Sequence, residues 1–260
     1  MLYEWHGRYR LSVGRSGSVW LFGSSLGCSF AFDAEARSLR CTVADLEDPA
    51  WMDVLARRVL PRIAILCGAA VVHAASAARE GGAVMLVGDS GAGKSTLSAA
   101  LGRAGWDVLS DDITALWIDR EVAAAPSTTG MCVWPDSRRA LRLPQDACEP
   151  LPAYDDKVRF VPGGEDRVET VPLKAIVLLK RSPERADVRL DRLDASPALV
   201  EIARRRIRVN PSDPLGREER ETFTRLGRMA ERVPGHVLRY PADYAALPAM
   251  TAQLQSLVRD

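Results

Sequence analysis

Residues 88–95 read Gly-Asp-Ser-Gly-Ala-Gly-Lys-Ser and satisfy the pattern G-x-x-x-x-G-K-[ST]. Each fixed position has a physical task. Glycines let the backbone curl until successive N–H groups point inward at phosphate oxygens. A helix starting at the lysine aims its positive end at the same place. Lys94 then reaches the β- and γ-phosphates of a nucleotide, and the Ser95 hydroxyl is placed for Mg2+. Asp89, Ser90, Gly91, Ala92, Gly93, Lys94, Ser95 and Thr96 are the expected contacts for ATP or GTP. An apolar run, Ala83-Val84-Met85-Leu86-Val87, precedes the glycines, and a helix is predicted after them, which is the strand–loop–helix context such a loop requires.

A phosphate-bound metal needs a second protein contact, commonly an acid at the end of a neighbouring strand. Asp111-Asp112 follow Val108-Leu109-Ser110 and meet that need. Side chains of successive residues in an extended segment diverge, so the two acids should differ in role. One can hold Mg2+, directly or through water, and the other can accept a proton from an attacking hydroxyl. The bland alternative is a helix cap or a solvated turn. His73 precedes the loop strand; a lone His beside a core is more often structural than catalytic, and both readings stay open. His6 and His236 have no supporting context.

These residues need elements to hold them. Before residue 48, β-branched and aromatic runs such as Val19-Trp20-Leu21-Phe22, and a second candidate at 39–43, sit among Gly and Ser turns, predicting a small β-rich region. Asp48-Pro49 is a helix start, with Trp51, Val54, Leu55 and Val59 at helical spacing and a break or kink expected at Pro61. Strands are predicted over 70–76, 83–87, 106–112, 113–118, 173–179 and 237–240, and helices over 94–102, 196–206, 217–232 and 246–258. The span 123–164, rich in Pro, Ser, Asp and Arg, predicts loops around short elements. Arg204-Arg205-Arg206 reads as a solvated helix face. The order of elements implies an α/β fold, divided into a β-rich region plus helix over 1–69 and a P-loop domain over 70–260.

The chain has 260 residues, 47% apolar and 27% charged, as expected of a globular protein with a substantial core. A net charge of +1 suggests neither nucleic acid nor a membrane as partner. No apolar run approaches the roughly 20 residues of a membrane span. Cys28, Cys41, Cys67, Cys132 and Cys148 form no C-x-x-C pair, arguing against zinc. Their odd number, and an N-terminus without the basic-then-apolar order of a secretory signal, favour the cytoplasm.

Taken together, Val72-His73-Ala74, the stretch Leu86 to Ser95, and Leu109-Ser110-Asp111-Asp112 resemble the catalytic core of HPr kinase/phosphorylase, which phosphorylates a serine on a protein. The core is similar, more distantly, to phosphoenolpyruvate carboxykinase. Over Val133-Trp134-Pro135-Asp136, Lys157 and the strand at 173–179, the chain is similar to shorter HPr-kinase-like proteins, among them lasso-peptide tailoring kinases. The resemblance implies a kinase core of that type, with ATP (or GTP) and Mg2+ as cofactors. Its substrate would be a peptide or small protein bearing an acceptor serine, such as a precursor peptide. Apart from the resemblance, the region before residue 70 is a candidate for recognising the substrate, though nothing in it names a ligand. The resemblance implies Asp111 as general base, helped by His73, with Asp112 and Ser95 as metal ligands; the two acids can exchange. The family's second signature, E-[IV]-R-G with a metal-binding Glu, is missing from the chain. Asp136 lies at a similar distance and can replace that Glu, or belong to a turn. Lys157 can contact a phosphate or an acidic substrate group, or lie in a solvated loop. Features linked to the reverse, phosphorolytic reaction are missing, so only the forward reaction is expected. The family assembles as hexamers, which leaves a homo-oligomer open. A small-molecule kinase and a non-catalytic nucleotide-binding regulator are the rival readings.

Overall fold

The computed structural model describes residues 1–7, 9–127, 130–151, 156–161, 169–184, 186–213 and 216–259. They form a mixed α/β fold in which the chain divides into two compact units, Met1–Val71 with Ile207–Phe223 and Val72–Arg206 with Thr224–Asp260.

The first unit holds an antiparallel sheet in chain order: β1 (Tyr3–His6), β2 (Arg10–Ser16), β3 (Val19–Ser24), β4 (Cys28–Asp33) and β5 (Ser38–Val43). The period-2 alternation of a strand with one buried face is plain. Leu11, Val13, Trp20, Phe22, Cys28, Phe30 and Phe32 are buried, whereas Leu21 on the opposite face of β3 is 45% exposed. Asp48 then accepts the Ala50 N–H at 2.9 Å as α1 (Ala50–Val54) begins. The helical run does not break at Pro61. A π-helical turn at Leu55–Val59 leads straight into α2 (Leu60–Leu66). Proline lacks the N–H that would bond four residues back and its ring crowds that carbonyl, and the wider turn just before it accommodates both.

β6 (Ala70–Val72) carries the chain into the second unit, followed by β7 (Ala75–Arg79), β8 (Gly82–Val87), α3 (Lys94–Arg103), β9 (Asp107–Ser110), β10 (Thr114–Ile118) and β11 (Val122–Ala125). The single strand expected over 70–76 is interrupted at His73-Ala74. The His73 N–H leaves the sheet to bond the Arg205 carbonyl at 2.7 Å. The span 123–164 holds short elements among loops, as its composition suggests. It contains β12 (Met131–Val133), α4 (Pro135–Leu141), β13 (Cys148–Pro150) and β14 (Val158–Phe160), the strands forming a small sheet in the order β12-β14-β13. Residues 128–129, 152–155 and 162–164 of that span lie outside the described residues. The remaining elements are β15 (Val171–Arg181), β16 (Arg189–Leu193), α5 (Ala195–Arg204), α6 (Arg217–Arg232), β17 (Gly235–Tyr240) and α7 (Leu247–Gln255).

β15 is the spine of the main sheet. It pairs in parallel with β8 on one side and β17 on the other, and its first residues pair antiparallel with β11. β7 pairs antiparallel with β8, and β9 antiparallel with β7. α3 packs Leu97 and Leu101 onto a buried cluster with Val84 and Leu86 of β8, Val177 and Leu179 of β15, and Met250 and Leu254 of α7. Its other flank packs Ala99 against Met131, Val133 and Phe160 of the small sheet. α3 is thus clamped between apolar surfaces, which fixes where its first turn points. Among the described residues no helix is long and apolar enough to cross a membrane.

Leu97 is fully buried in this cluster. Leu97→Ala should destabilise the protein by about 3 kcal/mol, whereas Leu21→Ala should stay within about 0.5 kcal/mol. Urea unfolding of the two variants checks the contrast, and equal midpoints would refute the placement of α3 against the sheet.

Candidate active site

β8 is buried along its whole length and ends where no side chain fits. A Cβ on Gly88 would lie 3.0 Å from the Ala92 Cβ and 3.3 Å from both the Cβ and the carbonyl oxygen of Leu179. Gly88 therefore lets the chain turn out of the sheet directly over β15. The Ala92 N–H closes the turn onto the Asp89 carbonyl at 3.1 Å. Gly93, the residue before α3, has φ 81°, a conformation that a Cβ would penalise.

The loop's carbonyls are held one after another. Lys94 Nζ donates to the carbonyls of Gly88 at 3.0 Å and Asp89 at 3.3 Å. Arg181 Nη2 donates to Gly91 O at 2.9 Å, and the Tyr240 hydroxyl donates to Ala92 O. The peptide unit is planar, so a carbonyl drawn one way turns its N–H the other. The first N–H groups of α3 have no acceptor within their own helix, and the helix dipole adds positive potential there. Backbone N–H groups turned away from these carbonyls, beside a helix start, suit a polyanion.

Strand register explains who reaches the loop. Leu178 lies beside Val87, and Arg181 beside Tyr240, so the last residues of β15 and β17 stand at the edge where β8 gives way to the loop. β7 is antiparallel to β8, with Ala75 beside Leu86, so His73 lies at that same edge. β9 is antiparallel to β7, with Ser76 beside Ser110, which brings in Asp111 and Asp112. The two acids occupy a bend between β9 and β10 rather than the extended segment expected from the sequence. A chain of buried hydroxyls pins that bend. Ser76 Oγ and Ser110 Oγ are 2.7 Å apart, Ser110 Oγ and Thr114 Oγ1 are 2.6 Å apart, and Thr114 donates to Ala74 O at 3.0 Å.

Within the bend the acids have different surroundings. Asp111 is 4% exposed, and its Oδ2 accepts the Cys132 N–H of β12 at 2.8 Å. Asp112 is half-buried, and its Oδ1 lies 3.2 Å from His73 Nδ1. Lys94 is 8% exposed. Burial pushes its pKa below the usual lysine range, opposed first by the negative charge of Asp112, reinforced by the positive charge of Arg205, and opposed again by Asp111 and Asp89. Tyr240 is shifted upward, chiefly by burial, with Arg181 acting against the shift.

The other expected site residues are placed as follows. Ser95 is half-buried in the first turn of α3, and Ser90 is exposed on the loop. The Thr96 hydroxyl is 2.8 Å from Ser137 Oγ of α4. Asp136 is exposed in the first turn of α4 and pairs with Arg139. The described residues contain no cluster of three or more His, Cys, Asp or Glu able to hold a metal. Lys157 places its ammonium 4.6 Å from the centre of the Trp134 ring, a cation–π contact.

Three residues at this edge escape sequence reasoning: Arg181, Tyr240 and Arg205. Arg181 and Tyr240 carry one weak signal, that each ends an apolar strand. Arg205 reads from sequence as part of a solvated helix face. In the structure α5 ends at Arg204, and the Arg205 guanidinium bonds Glu201 and the loop residue Asp89. Its backbone carbonyl holds His73.

No family model matches the chain, and no curated protein matches it. Among solved structures it is similar to the HPr(Ser) kinase/phosphatase from Coxiella burnetii, at 14% identity over 73% of this chain and 93% of that one, with a TM-score of 0.36. The likeness is remote.

Lys94 carries a charge that its surroundings disfavour in the free protein. Its folded pKa lies below the reference 10.5, so the unfolded chain binds the proton more tightly, and stability should rise as pH climbs from the lowered value towards 10.5. Lys94→Met should flatten that rise and leave the nucleotide-free protein at least as stable as the parent in urea at neutral pH. A loss above about 1 kcal/mol would instead show that the two carbonyl hydrogen bonds outweigh the desolvation.

Proposed function

We propose that this protein is a kinase that transfers the γ-phosphoryl group of ATP–Mg2+ to a serine hydroxyl on a peptide or small protein. The observation that carries the reading is the register of β7, β8 and β9, which gathers His73, the glycine loop and Asp111-Asp112 at one sheet edge. A protein that only bound nucleotide would need the loop but not a half-exposed acid paired with a histidine beside it. The choice of a peptide serine, with a ribosomal precursor of the lasso type as first candidate, rests on the sequence resemblance over His73 to Asp112.

In this proposal each residue has a distinct task. The loop N–H groups and Lys94 bind the phosphates and offset charge on the group in transfer. Ser95 and Asp111 would hold Mg2+. That donor set fits a small hard cation that takes its other ligands from phosphate and water, since no all-protein cage is present among the described residues. Bound there, the ion would neutralise charge on the β- and γ-phosphates.

Asp112 accepts the proton of the incoming hydroxyl, and His73 orients it. This exchanges the roles that the resemblance implies for the two acids. The reason is access: Asp112 is half-exposed against His73, while Asp111 is buried with one oxygen engaged by Cys132.

Incubation with MgATP and a serine-containing peptide should add a phosphate-sized mass to the peptide, and Lys94→Ala should abolish it. Asp112→Asn should lower kcat by about 10²- to 10⁴-fold with the nucleotide Kd unchanged. Asp111→Asn should instead weaken Mg2+-dependent nucleotide binding. The opposite split would return the base role to Asp111. Phosphate release without any acceptor, at a rate that peptide does not change, would favour a nucleotide hydrolase and sink the kinase reading.

A further inference from the structure

Arg205 links the two halves of the site. It follows the last residue of α5, and its carbonyl accepts the His73 N–H at 2.7 Å. Its guanidinium is anchored on one side by Glu201, through the backbone carbonyl at 2.8 Å and the carboxylate. The other terminal nitrogen bonds Asp89 Oδ1 of the loop. The two partners in that last pair differ sharply in exposure: the Arg205 side chain is 12% exposed and that of Asp89 is 90% exposed. Arg205 also stands close enough to Lys94 to disfavour its protonation. Two cations therefore converge on one loop, and among the described residues the second has a solvent-facing carboxylate on the side away from Glu201.

We propose that Arg205 binds the terminal phosphate of the nucleotide, and that Asp89 fills its guanidinium as a stand-in anion which a triphosphate displaces. The inference rests on the nucleotide-site reading given above. An exposed carboxylate loses little when it gives up a salt bridge, because water already screens the pair. A phosphate brings more negative charge and matches the planar guanidinium with two parallel hydrogen bonds. The position also fits the reaction. The phosphoryl group in transfer has to lie between the loop and the group that takes the hydroxyl proton, and Arg205 touches both sides, through Asp89 and through His73. Its charge would then meet the negative charge that develops on the equatorial oxygens. A diphosphate leaves the Asp89–Arg205 pair intact, so the arrangement discriminates triphosphate from diphosphate.

The test is calorimetric titration of the full chain with ADP and with the β,γ-imido analogue of ATP, both with Mg2+. Arg205→Gln should weaken the triphosphate analogue by about tenfold or more and leave ADP within about twofold. Arg205→Lys should recover part of the loss. Asp89→Asn should tighten the analogue severalfold in the parent, and should not do so when Arg205 is already Gln, because the competitor then has nothing to withhold. Urea midpoints of all variants separate binding from folding. Equal loss for both nucleotides would reduce Arg205 to a loop-ordering residue and overturn the inference while the nucleotide site stands, as would no loss at all. Absence of binding by the unaltered protein would overturn the nucleotide-site reading and this inference with it.

Discussion

Because β15 runs parallel to both β8 and β17, three strand ends leave the main sheet on one side, and the chemistry of the site is arranged around that side. A parallel pair cannot be closed by a tight hairpin, so each strand must run on into a loop or a crossover. Here β8 runs into the glycine loop, and β15 beside it and β17 beyond β15 end in residues long enough to seize that loop's carbonyls, Arg181 and Tyr240. The antiparallel strands β7 and β9 then enter and leave at the same edge, supplying His73 and the acids. Sheet register thus does the positioning that a flexible loop could not do for itself.

The electrostatics of the loop favour an anion beside Lys94. Lys94 is charged in a place where burial and Arg205 oppose the charge, with Asp112, Asp111 and Asp89 offsetting only part of that opposition. A buried charge without full compensation is costly to the fold and is kept where binding requires it. In the proposed role, a polyphosphate would supply compensating negative charge beside Lys94. The buried hydroxyl chain from Ser76 through Thr114 has the opposite character. Every member found has a partner within ordinary hydrogen-bond distance, which makes the bend bearing the acids a rigid part of the site.

What the amino-acid order made legible was whatever is decided locally. The glycine loop announces itself because Gly93 takes a left-handed backbone and Gly88 leaves no room for a Cβ beside Ala92, both within the loop, and β8 before it is apolar throughout. The alternation of β2 to β4 is equally local. The break at His73-Ala74 was not legible, since the surrounding residues are small and apolar and nothing punctuates them; the partners that force it, Arg205 and Thr114, are remote in sequence. Arg205 itself looked like one charge in a basic run, and its partner Asp89 lies 116 residues away. The different fates of Asp111 and Asp112 depend on β12, a three-residue strand whose place and pairing the composition of its stretch does not reveal.

The first unit is not a continuous piece of chain: its last part, Ile207–Phe223, follows the whole of 72–206. During synthesis the five-stranded sheet therefore emerges well before the segment that completes its unit, with a delay on the order of ten seconds at ordinary elongation rates. In that interval the second unit's central strands are also appearing, so the nascent protein must keep an unfinished surface out of trouble while its neighbour collapses. Cutting the gene at the visible change of character near residue 70 would not yield two self-sufficient halves, because the C-terminal fragment would carry away Ile207–Phe223, which belongs to the first unit.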